Sequence, residues 1–300
     1  MLEIFSLFWG TVLLRPYVFA FLAVYLAAGA AHMGWKRTLL YIPIGYFLAW
    51  SSEFASINWG FPYGDYFYIH DTMGQELWVA GVPFMDSLSY VFLSYCSYST
   101  AIFLLSPVEA TGLRLAVLET HGIRRSWETL ALGAFLFVLL DIIIDPVSLQ
   151  GYKWFLGQIY GYRQTGIYFG IPLSNFAGWL VVGLMMVYAL QVLDRASFLE
   201  PVKAPALAAV PLARLLGPIL YVSVLIFNLA VTFRIGDRFL GTTGCIILIP
   251  PALLSFLFTR YKARHITVEM RERHFADFPS SEEQPRYAAD LSVARELADE

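Results

Sequence analysis

Leu139-Leu-Asp-Ile-Ile-Ile-Asp-Pro146 places two carboxylates, Asp141 and Asp145, four residues apart at the end of an otherwise apolar segment that begins near Trp127. Four residues is just over one helical turn, so the spacing predicts both side chains on one face of a helix. An ionisable group in the middle of a membrane helix costs about 2.5–3.5 kcal/mol on insertion scales, so two on one face call for a physical reason. One reason is trivial. Pro146 predicts the end of the helix, which would leave Asp145 at the water boundary. Asp141, one turn deeper, is harder to account for in that way.

Composition sets the surroundings of this pair. Of 300 residues, 58% are hydrophobic and 14% charged, with mean hydropathy +0.61. A soluble domain carries about 25% charged residues, so an all-α polytopic transmembrane bundle is predicted. Apolar stretches long enough to span a bilayer number about seven, at 16–32, 39–58, 83–105, 127–145, 172–193, 214–233 and 240–258. Residues 4–14 are also apolar and suit either an interfacial helix or an extension of the first span. Lys36, Arg37, Arg114, Arg124, Arg125, Arg195, Lys203, Arg214, Arg260, Lys262 and Arg264 fall on one side of this arrangement. Arg15, Lys153, Arg163, Arg234 and Arg238 fall on the other. The positive-inside rule makes the first side cytoplasmic, with the N-terminus outside, the C-terminus inside and a bacterial inner membrane as the setting. Residues 1–265 form the membrane domain, and 266–300 a polar cytoplasmic tail with a short helix or disorder. Met1-Leu-Glu-Ile lacks the basic start of a secretory signal and is expected to be retained.

Several function classes drop out. A net charge of -3 argues against nucleic acid as a partner. Cys96 and Cys245 form no CxxC pattern or disulfide framework. The five histidines are scattered without a ligand-like spacing, so a histidine-ligated iron centre is not expected, and no GxGxxG opening a helix marks a redox cofactor. All four lysines lie outside the spans, which excludes a retinal Schiff base in spite of the span count.

Two outer loops differ in kind from the cytoplasmic loops at 106–126 and 194–213. One runs Trp59-Gly-Phe-Pro-Tyr-Gly-Asp-Tyr-Phe-Tyr68; the other contains Gly151-Tyr-Lys-Trp-Phe, Tyr160-Gly-Tyr162 and Tyr168-Phe-Gly-Ile-Pro172. Such aromatic and glycine density fits an interfacial belt, or a lid folded over an apolar chamber. Counting from the helix ends gives a sharper expectation. Glu53, Asp86, Asp141, Asp145, Asn175 and Asn228 all fall one to one and a half turns, or less, from the outer ends of their spans. Because successive spans run in opposite directions, this predicts a polar layer at one depth, facing the bundle interior. Carboxyls in an apolar chamber suit proton chemistry, since burial lets one keep its proton while a partner stays ionised.

The residues also carry a family likeness. Glu53, Pro62-Tyr63-Gly64-x-Tyr66-x-Tyr68, Gly81-Val-Pro83 and Asp141-x-x-x-Asp145-Pro146 occur in order before Gly166-x-Tyr168-x-Gly170-x-Pro172-Leu-Ser-Asn175-Phe-x-Gly178-Trp179. Over about residues 40–190 the chain resembles the integral-membrane carotenoid hydratases of the γ-carotene 1′-hydratase and bisanhydrobacterioruberin hydratase type. Residues 84–90, Phe-Met-Asp-Ser-Leu-Ser-Tyr, depart from that pattern by being more polar. The resemblance implies a cofactor-independent hydro-lyase that adds water across the terminal 1,2 double bond of a membrane-dissolved carotenoid, giving a tertiary alcohol. Glu53, Asp141 and Asp145 become the catalytic candidates. Asn175, Tyr63, Tyr66, Tyr68, Asp86, Tyr168 and Trp179 become the substrate-binding ones. Association with other carotenoid-pathway enzymes is a further expectation of such a place in biosynthesis. Two rivals remain open at this level. Asp141-x-x-x-Asp145 is also half of the aspartate-rich signature of a Mg-dependent membrane prenyltransferase, with Arg163 as its phosphate ligand. A polar layer could also serve a transporter or lipid-binding protein, against which stand the lack of an internal repeat and carboxylates set toward one leaflet.

Overall fold

A computed structural model of the chain describes residues 2–111, 114–199 and 212–279. Lys203, most of the loop around it and the end of the tail from residue 280 lie outside the described residues. Two helices begin the fold, α1 (Leu2–Leu14) and α2 (Pro16–His32), and they meet at 90°. Residues 4–14 are therefore not an in-line extension of the first span. Arg15 has left the helical backbone, and Pro16 occupies a first-turn position where its missing N–H removes no bond.

α3 (Trp35–Trp59) leads into a long loop with three short strands, β1 (Tyr66–Tyr68), β2 (Trp78–Val79) and β3 (Val82–Pro83). α4 (Phe84–Leu105) follows, then a hairpin of β4 (Val108–Thr111) and β5 (Arg114–Val117) and the short α5 (His121–Arg124). α6 (Trp127–Ser148) starts on Ser126, whose hydroxyl accepts from the Thr129 N–H. A second long loop holds β6 (Tyr160–Tyr162) and precedes α7 (Leu173–Arg195), α8 (Leu216–Arg234), α9 (Arg238–Ala263) and α10 (Val268–Asp277).

All seven predicted segments are helices in an all-α polytopic bundle. Five of them are long and apolar enough to cross a membrane, or six if the bent pair α1–α2 counts as one span. The remaining segment, α3, has the length at 25 residues. Lys36, Arg37, Ser51, Ser52, Glu53 and Asn58 lower its hydropathy, and α2, α4 and α7 pack around it. α4 is the centre of the bundle: 72% of its most apolar window is buried, against 17% for the peripheral α9. α6 and α7 approach closely because Gly183 faces Ala134 and Phe137. A Cβ there would stand 3.0 Å from the Phe137 ring and 3.3 Å from the Ala134 backbone.

Pro146 does not end α6, which continues to Ser148. A proline in a helix frees the carbonyl four residues back, here that of Ile142. The Tyr168 hydroxyl donates to that carbonyl at 3.2 Å. The break expected from the sequence is repaired from outside the helix.

At the end of the bundle away from the two long loops the charges are buried and paired. Glu119 accepts from Arg124 at 2.8 and 2.9 Å, from Arg214, and lies 2.9 Å from His32 Nε2. Asp194 accepts from Arg124 at 3.0 Å and Arg125 at 2.6 Å, while Arg37 donates to the carbonyls of Leu193, Asp194 and Ala196. Burial alone would raise the Glu119 carboxyl, but the charges of Arg124, His32 and Arg214 outweigh it and hold Glu119 well below the usual carboxylate range. α10 closes this end. His274 Nδ1 lies 2.7 Å from the Glu119 carbonyl, and Asp277 accepts from the His121 N–H at 2.6 Å. The start of the tail is thus a docked helix.

Candidate active site

The two aromatic loops meet over the other end. β1 and β6, almost a hundred residues apart in sequence, pair antiparallel with Tyr66 opposite Tyr162 and Tyr68 opposite Tyr160. Side chains alternate across a strand, so all four tyrosines point inward while Phe67 between them is 38% exposed. Asp65 and Arg163, paired at 2.9 Å on the surface, fasten the same junction.

Beneath this lid lies a cavity of about 130 Å³. On that measure one water needs roughly 10–15 Å³, so there is room for about ten waters or for a small branched hydrocarbon end. Glu53, Asp86, Asp141, Asp145, Asn175 and Asn228 all line it. The polar layer read from helix ends is therefore one chamber, reached from α3, α4, α6, α7 and α8.

Each carboxylate meets different donors. Asp145 is held by three: the Tyr160 hydroxyl on Oδ1, and on Oδ2 the Tyr162 hydroxyl at 2.6 Å and Asn175 Nδ2 at 3.1 Å. Burial first, and the Asp145 charge second, push the Tyr160 and Tyr162 phenols above their ordinary range, so both keep the proton they donate. Asp141 accepts from Asn175 Nδ2 at 2.7 Å. Glu53, on the facing wall, accepts from Ser87 Oγ at 2.6 Å. Asp86 accepts from the Tyr68 hydroxyl at 2.6 Å. Asn228 turns its amide to the Val224 carbonyl of its own helix.

Aromatic faces complete the walls. Trp179 stacks on Tyr90 with ring centroids 4.9 Å apart and leans on Phe137 at 4.7 Å. Tyr63 packs beside them and shares a hydrogen bond with Ser52 at 2.9 Å. This closeness depends on Gly178, where a Cβ would fall 2.6 Å from the Pro62 carbonyl oxygen and 2.8 Å from Tyr63 Cα. Among the described residues no lysine or arginine lines the cavity.

Nine of the ten residues predicted as catalytic or substrate-binding line the chamber: Glu53, Tyr63, Tyr66, Tyr68, Asp86, Asp141, Asp145, Asn175 and Trp179. Tyr168 is absent from its walls; its hydroxyl serves the Ile142 carbonyl. Arg163, the phosphate ligand of the prenyltransferase alternative, is 60% exposed in its pair with Asp65. Tyr160 and Tyr162, the donors to Asp145, stand out in the sequence only as part of an aromatic loop and not as site residues, although Tyr-Gly-Tyr in an extended stretch places both rings on one side. Nor were Ser87 and Tyr90. Also missed was a buried ion pair at the bend before α2. Arg15 donates to Glu76 at 2.8 and 3.1 Å and also to the Leu156 carbonyl, and Thr72 donates to Glu76 at 2.6 Å. Arg15 thereby ties the bend to both long loops.

Over residues 10–244 the chain matches the family model described as carotenoid biosynthesis protein. No curated protein and no solved structure matches it.

Proposed function

The chain belongs to the carotenoid biosynthesis protein family, and on that premise we propose that it is a carotenoid hydratase. It adds water across the terminal 1,2 double bond of an acyclic carotenoid end group and gives a tertiary alcohol. The observation that carries this reading is the unequal treatment of two neighbouring carboxyls. Asp145 receives three hydrogen-bond donors, which favours its ionised form. Asp141, one turn away, receives one donor among the described residues, Asn175. A protonated acid beside an ionised base is what hydration of an unactivated alkene requires.

In the reaction we propose, Asp141 delivers its proton to C2 and the π electrons form the new C–H bond. The tertiary cation left at C1 lies among the carboxylates of Glu53 and Asp145 and the faces of Trp179 and Tyr90, which stabilise positive charge. A water held by Asp145 bonds to C1 through oxygen and passes a proton to Asp145. Proton lost and proton gained balance, and one transfer between Asp145 and Asp141 restores the starting pair. Tyr63, Tyr66 and Tyr68 shape the end-group pocket, and Tyr68 holds Asp86 turned toward the lid. Among the described residues the walls carry no cationic side chain to pair with a diphosphate, which favours hydration over prenyl transfer.

Expression in a host that makes acyclic carotenoids tests this. Pigment gaining the mass of one water per modified end is the expected result. A gain of one oxygen atom, a prenyl increment, or altered pigment location with unchanged chemistry would each overturn it. Asp141→Asn should lower product formation by about 10²–10⁴-fold, the usual worth of a general acid, with the protein still inserted and folded.

A further inference from the structure

The chamber has a second end with different chemistry. Past the carboxylates its walls become Tyr17 and Phe21 of α2, Phe92 of α4, and Val224 and Phe227 of α8. Phe227 closes the α2–α8 seam by stacking on Tyr17 at 5.6 Å and meeting Phe21 edge-on at 5.7 Å. Beyond it Tyr17 touches Phe155, which is 61% exposed. The face of α8 turned away from the chamber is bare hydrocarbon, with Val222 50% and Ile226 60% exposed. A file of rings therefore leads from the carboxylates to an apolar flank of the bundle.

This inference rests on the hydratase reading and extends it to how the substrate lies. The space under the lid accommodates an end group, not an entire polyene, so the rest of the molecule must leave through a wall. Exit through the lid would put conjugated hydrocarbon into water, which the hydrophobic effect opposes. Exit between α6 and α7 is closed by the tight approach at Gly183. At the level of the chamber the α2–α8 seam is filled by the rings of Tyr17, Phe21 and Phe227, side chains that can rotate aside where a backbone contact cannot. We infer that this seam is the passage for the polyene, with Tyr17, Phe21 and Phe227 as the residues that grip it. One end group then enters at a time, and the two ends of a symmetrical carotenoid react in separate visits.

The test uses the full chain in lipid vesicles and two substrates with the same end group: a full-length acyclic carotenoid and a short alkene that fits entirely beneath the lid. Val224→Trp and, independently, Phe227→Trp fill the seam. In each, kcat/KM for the long substrate should fall relative to that for the short one by about 10-fold or more, the discrimination that a clash of a few atoms produces. An unchanged ratio in both variants, whether through no loss or equal loss, overturns the passage. In the wild type the singly hydrated carotenoid should build up before the doubly hydrated one; doubly hydrated product from the first turnover would also overturn it. Hydration of neither substrate by the wild type would instead remove the hydratase reading, and the passage with it.

Discussion

Asp141 and Asp145 are chemically identical and one helical turn apart, so any division of labour between them comes from their neighbours. Tyr160 and Tyr162 make the difference for Asp145. A hydrogen bond to a charged group contributes about 1.5–3 kcal/mol. Replacing both tyrosines by phenylalanine should therefore slow product formation, per molecule of folded protein, by about 10²-fold or more. A wild-type rate in the double variant would remove the proposed base. Glu119 gives a contrasting case, structural in role and far from the chamber. Its carboxyl is held below the ordinary value of 4.5, so its contribution is complete above about pH 4.5 and fades as the pH falls through the depressed value. Glu119→Gln leaves buried arginines short of a partner and should cost about 3–5 kcal/mol at neutral pH. The stability gap between wild type and variant should stay level down to about pH 4.5 and then narrow; a gap that widened in acid would contradict the pairing. The pair Asp141 and Asp145 was legible from spacing alone, because helical periodicity is local. The donors that distinguish the two were not, because they arrive on a strand paired to another loop.

Among the elements, the long apolar helices were readable to within a few residues, since bilayer thickness fixes their length. The lid strands were not. Three residues rich in tyrosine and glycine fall below any strand signal, and β1 finds β6 only once α3 and α6 have delivered both loops to the same end. Pro146 misled for a related reason: its disruptive effect is local, but its repair by Tyr168 is tertiary. The seat of the lid on α7 gives a sharp test. At Gly178 a methyl would meet the Pro62 carbonyl at 2.6 Å, and backbone cannot swing aside as a side chain can. Gly178→Ala should cost about 1–3 kcal/mol through overpacking and displace Tyr63, lowering the melting temperature and the product yield together. A fully active, equally stable variant would show that the loop does not rest on α7 at this point.

At the scale of the whole molecule, two ends of opposite character share one bundle. One is a knot of paired charges sealed by α10; the other is an apolar chamber roofed by tyrosines. The hydropathy profile exposed the bundle but not the right-angle bend at Arg15, whose partner Glu76 lies 61 residues away. It also treated α3 as a span like the others. The low hydropathy of α3 carries over into biosynthesis. While its neighbours can partition into lipid on their own merits as they leave the ribosome, α3 brings Glu53 and several hydroxyls with it. A nascent chain halted soon after residue 59 should leave that stretch accessible to a water-borne cysteine reagent placed along it, and extension through α7 should protect it. The Glu53 wall of the chamber would then enter the membrane late, admitted only once later helices have arrived to receive it.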